Sequence, residues 1–396
     1  MTYDFETVIP RHDKGSNKWE ELRRVNPELD PGVIPFSVAD MELLNPPELT
    51  RGLQRYLEEN ILGYGKAHPA YYEALRGWLK RRHNWEIEDE WVVENRGVVE
   101  GFFTAINAFT REGDGIMLMT PVYYPMFAGI RRNKRVLVEN RLVRRGNRYE
   151  IDFEDFRAKA NDPNTKLLLL CSPHNPVGRV WTREELSRIG RICIDAGVLV
   201  VSDEIHFDLI MPGYRHTVFA SISGEFAQHS LIHTAPSKTF NMAGLQISNT
   251  IIPNPDLRQR FREEMERRAG GVQCGVLGYE ACRLVYQEGE AWLEQVIALI
   301  NTNYRLIKDF LSREFPGVEV IDLEGTYLLW IDFNSLGIEY RELERILKTE
   351  AQLFFDEGYI FGEGGRGFER WNIACPTRYI REGLERLKSA FTPRRL

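Results

Sequence analysis

Lys238 lies in the segment HTAPSKTFNMAGLQISN, residues 233 to 249, between an apolar run from Leu231 and a second one reaching from Gln246 to Ile252. A lysine placed there sits at the mouth of a core. Partial desolvation disfavours the ammonium and frees the amine to attack an aldehyde, so Lys238 is a candidate Schiff-base former. A lone lysine is far more often a solvated charge, so the case rests on its company. Asp203 ends the run VLVVSDE; a carboxylate at a strand tip can keep a pyridinium nitrogen protonated, or it can simply cap a turn. Asn175, in PHNPVGRVW after KLLLLCS, offers an amide to a phenolic oxygen, although H-N-P alone is only a tight turn. RGVVEGFF opens a helix directly after WVVEN. The amides of Val98 and Val99 therefore point from a helix N-terminus, a ready phosphate site, and the Ser237 hydroxyl can donate to the same group. Tyr123, in TPVYYPMF, can stack on an aromatic ring or fill a core.

These residues follow short apolar runs: WVVEN, IMLMT, RVLVEN, KLLLLCS, VLVVSDE, SLIHTA and ISNTII. Most alternate with helical segments such as VVEGFFTAINAFT and TREELSRIGRICIDAG, which predicts a sheet buried on both faces, the doubly wound α/β architecture. Ligands of such sheets bind outside the carboxyl ends of the strands, where the candidate residues fall. Residues 1–45 read as an arm with little periodicity, 46–285 as a large domain, and 286–396 as a smaller α+β domain that the arm completes. At 396 residues, 43% hydrophobic and 28% charged, the chain has the composition of a soluble globular protein. A net charge of −7 gives no basic field for nucleic acid, and the Arg-rich stretches read as solvated faces. No basic-then-apolar leader and no apolar run near the roughly 18 residues that span a bilayer is present, so the expected location is cytoplasmic. The five cysteines are scattered with no C-x-x-C pair, which predicts reduced thiols and no metal site.

Each signal is weak alone, but phosphate site, aromatic, amide, carboxylate and lysine occur in one chain order at successive strand ends. In this order the sequence resembles the fold-type I pyridoxal-phosphate enzymes, the aspartate aminotransferase superfamily, and within it the cystathionine and cysteine-S-conjugate β-lyase branch of MalY, PatB and cystalysin type. The motifs IPRHDKGSNKWE, FSVADMEL, GYG, GVVEGFF, TPVYYPMF, SPHNPVGRVW, VSDEIHFDL, APSKTFNMAGLQ, GTYLLWIDF and GEGGRGFERWNIACP carry the resemblance from about residue 9 to 390. It implies that Lys238 carries pyridoxal 5′-phosphate, Asp203 holds its ring nitrogen, Asn175 its phenolic oxygen and Tyr123 its ring face. It also implies that Val98, Val99 and Ser237 bind the phosphate, and that Tyr64 reaches the phosphate of a neighbouring subunit in a homodimer with shared sites. Ala39 and Asp40 match a segment lining the substrate carboxylate.

Two departures bear on the reaction. Many aminotransferases of this superfamily have an arginine where this chain has Gln246, as the β-lyase branch does, so the pattern points away from general transamination. The family pattern N-x-A-C-P-R reads NIACPTRYI here, with Thr377 at the arginine position and Arg378 one step later. Arg378 is expected to serve the carboxylate despite a rotation of about 100° per residue; Arg370 in FERWN matches a common family arginine or forms a structural ion pair. The implied activity is β-elimination from an amino acid with a sulfur leaving group, giving a thiol, pyruvate and ammonia. An aminotransferase for aromatic or sulfur amino acids, and a protein-binding regulatory role of MalY type, are the competing expectations.

Overall fold

The computed structural model describes residues 2–29, 32–270 and 273–392. Nine strands precede residue 252: β1 Val92–Asn95, β2 Gly115–Thr120, β3 Val136–Arg141, β4 Val143–Arg145, β5 Arg148–Glu150, β6 Thr165–Cys171, β7 Leu199–Asp203, β8 Ser230–Thr234 and β9 Ser248–Ile251. Seven of them form one sheet in the order β1-β9-β8-β7-β6-β2-β3. β2 pairs parallel with β3 and β6, and the β6–β7 and β7–β8 pairs are parallel too. β9 is antiparallel to both β8 and β1, so it alone runs backwards. The fully apolar strings that predicted two covered faces are covered on both: every residue of β2 and β8 is buried.

The 25-residue helix Glu290–Glu314 leads to a four-stranded antiparallel sheet of β10 Glu319–Val320, β11 Leu328–Asp332, β12 Asp356–Glu357 and β13 Phe368–Asn372, ordered β10-β11-β13-β12. The N-terminal residues lie against it: the Phe36 amide donates to Phe354 O, and the Asn372 amide to Phe36 O. Two local elements escape the sequence reading. The stretch expected to be an aperiodic arm contains the helix Asn17–Val25, anchored by buried Trp19 and Leu22. Residues 143 to 150 form a hairpin, β4 with β5, closed at Gly146, whose φ of 59° suits a residue without a Cβ.

The large sheet buries uncharged imidazoles. His174 is held near a pKa of about 4 and His233 near about 3, in both cases chiefly by desolvation. A histidine kept neutral when folded binds its proton only in the unfolded chain once pH drops below about 6.5, so acid favours unfolding. The fall in Tm should begin near pH 6.5 and steepen towards pH 4, with His174 alone contributing about 3 kcal/mol. Thermal scans of His174→Gln against the parent check this. The difference between the two should shrink as pH falls through that window, and a constant offset would refute the assignment.

Candidate active site

The five segments singled out in the sequence converge at the carboxyl ends of β1, β2, β6, β7 and β8. Val98, Val99, Tyr123, Asn175, Asp203, Ser237, Lys238 and Ala39 line one cavity of about 200 Å3, together with Arg96, Gly97, Cys171, Ile205, His206, Ala243, Gln246 and Ile247. Parallel pairing makes this possible: in register, Cys171 lies beside Asp203, and Asp203 beside His233.

Lys238 sits in the single turn Pro236–Thr239 just past β8. Its Nζ donates to Ala39 O at 2.7 Å, an oxygen that also accepts from the Tyr327 hydroxyl at 2.8 Å. Desolvation lowers its pKa to about 8; the Asp40 charge opposes this and the Arg370 charge adds to it. The neutral amine, scarce for an ordinary lysine near neutral pH, is thereby brought within reach as a nucleophile or proton acceptor. Asp203, at the tip of β7, is raised to about 7 by burial, held back by the Ile205 amide and by Lys238. Its Oδ1 takes the Ile205 N–H at 3.2 Å. A buried carboxylate with so little solvation is matched to a cation of the kind a ring N–H presents.

The helix Val98–Phe109 has Gly97 at its N-cap and no side-chain cap. The first-turn amides of Val98 and Val99 thus keep their donors for an anion. The helix reaches this place because Gly101 has no side chain, since a Cβ there would lie 2.8 Å from His233 Cε1 on β8. Ser237 and Arg96 complete the polar end of the cavity. Helix-start amides, a buried carboxylate and a desolvated amine lining one cavity fit pyridoxal 5′-phosphate, and among the described residues no cluster suits a metal ion.

Not every predicted residue is here. The Asp40 carboxylate turns away to Arg11, at 2.9 Å, and Lys18, at 2.8 Å, and these two cations hold it near a pKa of about 2 against the opposing cost of burial. Only the neighbouring carbonyl of Ala39 reaches the lysine. Arg378 is exposed and pairs with Glu6 at 3.3 Å, in the outward-facing first turn of the helix Thr377–Phe391. Thr377 is no substitute, because its hydroxyl donates to Asn303 Oδ1 at 2.8 Å on the long helix. Tyr64 is fully exposed and does not line its own chain's cavity.

Besides Arg96 in the cavity wall, a second arginine, Arg370, borders the site through Asn175. It is 1% exposed, its Nη1 donates to Asn175 Oδ1 at 3.0 Å, its Nη2 to Asp356 Oδ2 at 2.5 Å, and its Nε has no partner. Asp356 Oδ2 also accepts the Val38 amide at 2.9 Å, and Val38 holds a φ of 54° that a β-branched residue rarely adopts. His206, buried beside Lys238 with Nδ1 unpartnered, was not foreseen. Its position three residues past Asp203 in VSDEIHFDL was the available signal.

The chain belongs to the class I and II aminotransferase family, whose pattern it matches over residues 31–387. It is 37% identical to cystathionine β-lyase PatB of Bacillus subtilis over 390 residues, covering 98% of this chain and 100% of that protein. Among solved structures, cystalysin of Treponema denticola, which contains pyridoxal 5′-phosphate, superposes with a TM-score of 0.98 at 46% identity over 100% of both chains. The pyridoxal-phosphate-bound C-S lyase of Staphylococcus hominis gives a TM-score of 0.91 at 30% identity, with 99% of each chain covered.

Proposed function

We propose that the protein is a pyridoxal-phosphate-dependent carbon–sulfur β-lyase that cleaves L-cystathionine or cysteine S-conjugates to a thiol, pyruvate and ammonia. The observation carrying this reading is that Lys238, Asp203, Val98 and Val99 line one cavity, and the similarity to PatB and cystalysin supports it. When bound, the cofactor supplies an electron-withdrawing ring that stabilises negative charge at the Cα of an amino acid. Asp203 would hold the ring nitrogen in its protonated, cationic form. Lys238 Nζ would hold the cofactor and would accept the Cα proton of the substrate; its lowered pKa suits a base working near neutrality. The thiolate then leaves from Cβ, and the enamine released from the enzyme hydrolyses in water.

Arg370 holds the substrate carboxylate in this reading, with its unpartnered Nε as the donor that remains free. Arg370→Lys should raise KM by roughly 30-fold or more, because a point charge replaces a fork at a planar acceptor. Steady-state kinetics with L-cystathionine test this, and an unchanged KM would remove Arg370 from the binding role. A homodimer is part of the proposal. Ile61, Leu62 and Tyr64 project from the loop before the helix Pro69–His83 with 92%, 60% and 112% relative exposure, which suits contact with a second copy. The decisive assay supplies L-cystathionine with no keto acid and follows thiol and pyruvate. Turnover only when a keto acid is added would establish an aminotransferase instead.

A further inference from the structure

Asp208 lies five residues past Asp203, and its side chain is wholly buried. Three donors from two elements, the helix Pro69–His83 and the Lys238 turn, converge on it. Trp78 Nε1 stands at 3.1 Å from Oδ1 and 3.2 Å from Oδ2, His83 Nε2 at 2.8 Å from Oδ1, and Thr239 Oγ1 at 2.8 Å from Oδ2. Desolvation lowers the pKa of His83, so its ring stays neutral and donates from Nε2. A carboxylate in such a place costs several kcal/mol unless its lone pairs are filled, and here they are filled by neutral donors. The same segment is pinned at its start. Glu204 accepts from Ser202 Oγ at 2.9 Å, from His216 Nε2 at 2.7 Å and from the Phe219 amide at 3.0 Å.

Thr239 follows Lys238 directly and closes the same single turn. The turn's backbone anchors, Phe240 N to Pro236 O at 2.9 Å and Met242 N to Ser237 O at 3.0 Å, lie within the segment itself, and Lys238 Nζ ties it to Ala39 O in the leading segment. The Thr239 hydroxyl is thus the side-chain link from the lysine turn to the loop that descends from Asp203. β7 and β8 are neighbours in register, but their pairing ends at Asp203 and His233, short of Lys238. Beyond that point the Asp208–Thr239 bond holds the two strand ends at a fixed separation.

We propose that Asp208 and Thr239 are positioning residues: their hydrogen bond sets where Lys238 Nζ stands relative to Asp203, and hence how the proton-accepting amine meets the substrate Cα. This rests on the lyase reading above, and it reaches beyond it to two side chains that do not line the cavity. The link acts on orientation and not on substrate affinity, so its loss falls on kcat. A displacement of a reacting group by a fraction of an ångström to 1 Å costs on the order of 10- to 100-fold.

The test uses the holoenzyme with Thr239→Val and Thr239→Ser. Valine preserves shape and removes the hydroxyl; serine keeps it. The valine variant should lose about tenfold or more in kcat with KM within about twofold, and the visible circular dichroism of the bound cofactor should change in amplitude. The serine variant should return both readouts to near parental values. Asp208→Asn should reproduce the valine result in both. Wild-type kcat and dichroism in Thr239→Val overturn the proposal, whatever happens to its Tm. Equal losses in the serine and valine variants also overturn it, because packing alone would then explain them. The dichroism is read without turnover. A parent enzyme inactive on L-cystathionine would fail the lyase reading and leave the positioning claim open to judgement on the spectrum.

Discussion

Lys238→Ala is expected to abolish the reaction, with kcat lower by about 10⁴-fold or more, because the proposed mechanism makes one side chain both the covalent anchor of the cofactor and the base at Cα. The change removes function and not structure. Ala39 O, which accepts from Lys238 Nζ, keeps its bond from the Tyr327 hydroxyl, so no buried carbonyl is orphaned. A partly desolvated amine is also removed, which relieves a cost and adds none. Tm should therefore stay within a few degrees of the parent while the visible absorption of bound cofactor disappears. Lys238→Arg should not restore activity, since guanidinium does not give up its proton near neutrality. A variant lacking Lys238 that kept both the visible band and pyruvate formation would falsify the whole assignment of the site.

Asp203→Asn is the second large effect. Asparagine fills the same space and keeps an acceptor for the Ile205 amide, but the negative charge that the proposed mechanism uses at the cofactor ring is gone, and kcat should fall by about 10³-fold. Its effect on stability has the opposite sign in protein freed of cofactor. Burial raises the Asp203 pKa from an ordinary carboxylate value to about 7, so the folded chain holds a proton that the unfolded chain has lost. Stability from that proton is present below about pH 4 and is lost as pH rises through 7. At pH 8 the ionised, buried Asp203 costs about 4 kcal/mol at most, so cofactor-free Asp203→Asn should melt higher than the cofactor-free parent there, with the gap closing towards pH 4. Adding pyridoxal 5′-phosphate should stabilise the parent more than the variant. If cofactor-free variant and parent had parallel melting curves across pH 4 to 8, the buried carboxylate would have to be paired in some other way.

The cofactor end of this site was legible in the sequence because each residue followed an apolar run ending in polar residues, and a parallel sheet brings such ends together. Asp203, Asn175, Tyr123, Lys238 and the Val98 amides needed only the strand order to meet. The substrate end was not legible in the same way. Asp40 and Arg378 looked suitable by type and by motif position, but a charge goes where its partners are. Asp40 is claimed by Arg11 and Lys18, and Arg378 by Glu6. Arg370 was recognisable as a family arginine, yet its placement depends on an antiparallel register, Trp330 against Arg370 and Asp356 against Arg370, that no periodicity reveals. The helix Asn17–Val25 was missed because its apolar side is only Trp19 and Leu22, too few to show a repeat. Thr239 and Asp208 were invisible for a similar reason: a hydroxyl and a carboxylate 31 positions apart share no local pattern.

The first forty residues have a consequence for anyone recombining this protein with its relatives. Every carbonyl from Val38 to Asp40 is taken by a side chain from elsewhere: Val38 O and Asp40 O by Asn372 Nδ2 at 2.7 Å each, and Ala39 O by Lys238 and Tyr327. Asn241 Nδ2 takes Met41 O and Leu43 O just beyond. A chimaera cut as a contiguous C-terminal block would import Tyr327 and Asn372 without the backbone they were shaped to hold. The unit that can be exchanged between homologues is discontinuous, the leading segment together with the final hundred residues, and crossover points chosen on chain position alone would split it.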